Sequence, residues 1–93
     1  MALPTVDEIV TALDQKRQSD SDEAIGRFSK EFGMERLVPS LAAAFPRIRN
    51  WRGRNQILFC LPRFARKLPE VVDVALQGIR DPAYMVRMQA CGI

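Results

Sequence analysis

The chain has 93 residues, room for one domain and one modest core. A hydrophobic content of 47 % excludes a disordered tail. No run approaches the ~20 apolar residues of a membrane span, and the start lacks the basic-then-apolar pattern of a signal peptide, so the sequence reads as one cytoplasmic domain over 1–93.

The elements follow in chain order. Thr5-Val6-Asp7-Glu8 has the spacing of a capping box, and Val6, Ile9, Val10 and Leu13 behind it make one apolar face, predicting a helix over 5–17. Ser19-Asp20-Ser21-Asp22 interrupts the pattern, with Asp20 placed to cap a second helix over 22–32 that carries Ile25, Phe28 and Phe32. Gly33 suits a left-handed helix end. A third helix, 34–46, carries Met34, Leu37, Val38, Leu41, Ala44 and Phe45, with Pro39 either kinking it or restarting it. The fourth is predicted as a long helix over 51–68, the fifth over 70–79, and Asp81-Pro82 turns the chain into a sixth over 83–93. No alternating β-branched run reads as a strand. Pairing is expected as first with second, third with fourth and fifth with sixth. The fifth leaves only Glu70, Asp73 and Gln77 as a polar strip, the pattern of a helix with neighbours on both sides.

Asp81-Pro82-Ala83-Tyr84-Met85-Val86-Arg87-Met88-Gln89-Ala90 resembles the turn and helix opening of HEAT repeats of the short, about thirty-residue type. Setting Arg87 on Arg54, 33 residues earlier, puts Tyr84 on Trp51 and Gln89 on Gln56, while Gly53 stands where the later unit has Val86. The resemblance is strongest over 70–93, weaker over 34–68, and rests on helix pairing alone before that. It implies an all-α, right-handed α-solenoid of about three helix pairs, possibly part of a longer array, that offers a surface to a partner and has no catalytic activity. It also implies a structural hydrogen-bond ladder involving Asp81, Arg87 and Arg54. A solenoid needs polar ends, and here Val86, Ala90 and Ile93 are expected at an uncovered edge that a further unit, a second copy or a partner would cover.

The residues offer little chemistry. There is no histidine, the commonest general base and metal ligand. Cys60 and Cys91 have no ligand spacing, and Cys60 sits between Phe59 and Leu61 with nothing adjacent to activate it. Asp20, Asp22 and Glu23 lack the length and glycine of a calcium loop, and no glycine-rich phosphate loop occurs. No catalytic residue, metal or cofactor is expected.

The charge distribution is more informative. Residues 1–35 carry four basic and eight acidic groups, whereas 36–67 carry eight basic groups and no acid. On a continuous fourth helix, Arg52, Asn55, Gln56, Phe59, Arg63, Arg66 and Lys67 share one arc of about 120°. Trp51 with Arg47, Arg49 and Arg52 forms a second patch at the preceding turn. Arg forks around an aromatic anchor suit an acidic protein surface. The same face could track phosphates while Phe59 stacks on a base, a nucleic-acid alternative. Phe59 packed under a neighbouring helix, or Trp51 roofing the core, would be the structural readings of the same residues. The partner-binding expectation therefore names Arg49, Trp51, Arg52, Gln56, Phe59, Arg63, Arg66 and Lys67, and no membrane partner.

Overall fold

Residues 3–92 are described by a computed structural model. The first helix, α1 (Val6–Leu13), begins with the capping box the sequence spells: the Glu8 amide donates to Thr5 Oγ1 at 3.1 Å, and the Thr5 amide to Glu8 Oε1 at 3.2 Å. Next comes α2 (Gln18–Phe32), which starts before Asp20 and has no side-chain cap. Asp20 therefore lies in its first turn instead of capping it. Gly33, at φ +84°, links α2 to α3 (Met34–Ala44) in a conformation that side-chain-bearing residues seldom adopt. Pro39 neither ends nor restarts α3. A 3-10 turn, Phe45–Arg47, leads to α4 (Trp51–Cys60), capped by Asn50, whose side-chain oxygen accepts from the Arg52 amide at 2.9 Å.

The fourth helix is shorter than the expected 51–68. The fourth helix stops at Cys60, eight residues short of Leu68, and a 3-10 turn, Pro62–Phe64, follows. Pro62 has no amide to donate, and its ring would clash with the carbonyl four residues back, so the helix ends ahead of it. Two helices complete the chain: α5 (Pro69–Ile79), opened by Pro69 at a position where the missing amide costs nothing, and α6 (Tyr84–Cys91). Among the described residues there is no strand, and no helix is long and apolar enough to cross a membrane.

The helices pack in two rows. In one, α3 lies between α1 and α5; in the other, α4 lies between α2 and α6. Sequential helices α1–α2, α2–α3 and α5–α6 also pack together, but the expected pairing of the third helix with the fourth is weak: α4 meets the preceding segment mainly through the 3-10 turn at Phe45–Arg47. The Cα envelope of 35 × 31 × 18 Å has a short axis suited to two helix layers whose axes lie ~8–10 Å apart. Ile9, Leu13, Leu37, Leu41, Ile57, Leu58, Leu61, Val71, Val74 and Val86 are fully buried between the rows.

A 33-residue register runs through the second row. Its helices begin at Gln18, Trp51 and Tyr84. Arg54 Nη1 donates to the carbonyls of Ile48 and Arg49, six and five residues back, at 2.8 and 2.7 Å. Arg87 Nη1 does the same to Asp81 and Pro82, at 2.8 and 3.0 Å. Ser21, at the same register in α2, is fully buried and donates from its hydroxyl to the Leu13 carbonyl at 3.0 Å. Each side chain ties the opening of its helix to the turn before it.

The inter-helix turns and helix openings are also tied to one another. Arg54 grips Asp81 through two bonds, Nε to Oδ2 at 2.6 Å and Nη2 to Oδ1 at 3.0 Å, with side-chain exposures of only 13 % and 6 %. Asp81 Oδ1 also accepts from the Ala83 amide, and the Asn50 amide donates to Asp14 Oδ1 at 2.7 Å. Gly53 stands where α4 crosses the end of α1: a Cβ there would lie 2.2 Å from the Leu13 carbonyl oxygen. That contact explains the glycine in the position where α6 carries Val86.

Candidate binding groove

One face of α4 forms the floor of a groove of about 500 Å³, bounded by α2 and α6. Trp51, Arg52, Asn55, Gln56 and Phe59 project from α4, Ser19 and Asp22 from α2, and Met85 from α6. Ser19, Arg52 and Met85 stand at equivalent positions, 33 residues apart, so the groove crosses all three helices of the row at one level.

Its aromatic side chains have distinct roles. Trp51 is half-buried and rests on the core, with the Arg52 guanidinium 4.6 Å above its ring centre. Phe59 does not tuck beneath a neighbour; it is 63 % exposed at the other end of the groove. Met85 is exposed on the opposite wall. Gln56 is 6 % exposed and holds α2 to α4, its Nε2 donating to Asp22 Oδ1 at 3.0 Å. It orders the floor and offers little of itself to a partner. Asn55 buries its Oδ1 with no hydrogen-bond partner among the described residues.

The remaining expected residues fall outside this groove. Because α4 ends at Cys60, the exposed Arg63, Arg66 and Lys67 do not continue its face; they lie on the irregular segment that follows, and Arg63 folds over the Phe64 ring at 4.9 Å. Arg49 lines a separate cleft between the two inter-helix turns, with Arg54, Arg80 and Asp81. Arg47 pairs with Asp7 on the surface. The band of eight basic groups is thus dispersed: Arg54 is spent on structure, Arg52 is in the groove, and the others lie outside it. Ser19, Asp22 and Met85 were not anticipated from sequence.

Cys60 closes the inner end of α4. Burial pushes its thiol above the ordinary value, a rise that the Gln56 hydrogen bond opposes, Asp22 adds to and Arg63 opposes. A thiol so held stays protonated near neutrality and is a poor nucleophile.

Compared with known proteins, the chain matches no family model, and neither a curated protein nor a solved structure matches it.

Proposed function

We propose that the chain is a non-catalytic scaffold, a short HEAT-like α-solenoid of three helix pairs, whose second-row face binds an acidic, amphipathic segment of a protein partner. The observation that carries this reading is the α2–α4–α6 groove, with an apolar lining of Trp51, Phe59 and Met85 and a guanidinium over the Trp51 ring. An apolar anchor beside a bidentate donor is the combination that concentrates binding energy in protein interfaces. The two rows of helices, the 33-residue register and the Arg54–Asp81 bridge support the solenoid part of the reading. Nucleic acid is the weaker occupant, because Arg63, Arg66 and Lys67 no longer prolong a row of charges along α4.

Trp51, the sole tryptophan, is a built-in reporter in the groove. Its emission is expected to shift on titration with an amphipathic helical peptide carrying leucines on one face and glutamates on the other. Phe59→Ala should weaken that binding about tenfold, or ~1.4 kcal/mol, and Arg52→Glu should weaken it further. A shift produced by single-stranded oligothymidylate and steeply lost with salt, with none from the peptide, would replace this reading with the nucleic-acid one.

A further inference from the structure

The last unit carries a half-used arginine beside an uncovered apolar groove. On the outer side of α5 and α6, Val72, Leu76, Ile79, Ala90 and Cys91 line a groove of about 270 Å³ together with two further alanines, and no charged side chain enters it. Leu76 is 57 % exposed, and Val72 and Ile79 are nearly half exposed. Of the residues expected at this edge, Val86 is instead buried in the core, Ala90 lines the groove though almost fully buried, and Ile93 lies outside the described residues.

Arg54 uses Nη1 for its own turn and its Nε–Nη2 edge for Asp81 of the next unit. Arg87 uses Nη1 in the same way and lies over the Tyr84 ring at 5.8 Å, yet its Nε and Nη2 have no hydrogen-bond or ion-pair partner among the described residues. The register that sends Arg54 forward to the following turn sends Arg87 forward beyond α6. We infer that the outer edge of α5–α6 is a docking surface for a further α-helical hairpin with an aspartate in its turn, seated as α5–α6 sits against α3–α4, its apolar side in the groove and its carboxylate on the free edge of Arg87.

Charge and apolarity select this occupant over a second copy of the chain. Among the described residues, all the large hydrophobic side chains left exposed lie on α4, α5 and α6. Copies stacked end to end would therefore set α1, with its exposed Asp7, Glu8 and Thr11, against an apolar groove. Two copies joined edge to edge would oppose two uncharged grooves and give neither Arg87 a carboxylate from the groove it meets. A hairpin with a turn aspartate satisfies both features, and Asp81 on Arg54 is the precedent within the molecule. The inference does not depend on the proposed partner groove, which lies on another face.

The test uses the full chain and, as probe, a fluorescein-labelled peptide spanning its own residues 67–92, the hairpin that already fills the equivalent place one unit earlier. Saturable binding is expected. Leu76→Glu in the chain, at an exposed position where circular dichroism can verify the fold, should abolish it. Asp81→Asn in the peptide, or Arg87→Lys in the chain, should weaken it at least tenfold, since a lysine cannot supply the two-pronged grip. The inference is overturned by absence of binding at millimolar peptide. It is equally overturned if Leu76→Glu has no effect, because the peptide would then have displaced the chain's own α5–α6. Self-association of the chain that Leu76→Glu dissolves would make the occupant a second copy and also refute it.

Discussion

The openings of α4 and α6 carry the same arginine at the same register in different surroundings. Both arginines secure two carbonyls of their own turn, so that contact belongs to the helix pair itself. Only Arg54 also holds a buried carboxylate of the next unit. The residue ahead of each differs for a related reason: Gly53 lets α4 lie on the Leu13 carbonyl, whereas Val86 fills apolar space beneath α6. Sequence similarity between the units therefore marks what each does for itself, and their departures mark where one unit meets another.

Breaking the comparison at its strongest point should have the largest effect. Arg54→Ala strands Asp81 in a site where it is 6 % exposed, and removing one partner of a buried pair costs about 3–5 kcal/mol. Urea denaturation should show that loss, and Asp81→Asn in the Arg54→Ala background should recover part of it. Arg87→Ala removes the two turn bonds and the guanidinium's contact with the Tyr84 ring, and should cost about 1–3 kcal/mol. Equal losses for the two would mean that the Asp81 bridge contributes nothing beyond the turn contacts. Gly53→Ala should cost about 1–3 kcal/mol through overpacking, since its Cβ would meet backbone that cannot rotate away. Arg63→Ala, at an exposed position, should stay within about 0.5 kcal/mol of the parent.

These contrasts also separate what could be read from sequence from what could not. The capping box at Thr5, the Asp81-Pro82 turn and the shared register of Arg54 and Arg87 were legible because each is a short-range pattern with one dominant solution. The length of α4 was not. Its helical periodicity runs on past Pro62, and the amide missing there outweighs the pattern. That one misreading put Arg63, Arg66 and Lys67 on a face they do not share. The wide apolar circumference of α5 predicts neighbours on both sides, and the structure corrects this: one side meets the core, while Val72, Leu76 and Ile79 stay open. Asp22 and Met85 reach the groove from other helices, and only the 33-residue register, applied to Arg52 and Asn55, points to those levels of α2 and α6.

The smallest expected effect compares the ends of the same two helices, each closed by a cysteine. Cys60 ends α4 in partly buried surroundings, and Cys91 ends α6 in the open. Burial raises the Cys60 thiol above its value in the unfolded chain, so the folded state favours the protonated form. Above the ordinary thiol range the unfolded chain therefore holds fewer protons on this group than the folded one. Its stabilising contribution is complete below that range and is lost as pH rises through the folded value. Iodoacetamide at neutral pH should label Cys91 first and Cys60 at least about tenfold more slowly, read by mass spectrometry. Arg63→Ala should slow Cys60 further, because the guanidinium opposes the upward shift. Equal labelling of the two cysteines would show that the end of α4 opens as freely as the end of α6, and the contrast between the interior and outer units would not extend to their helix ends.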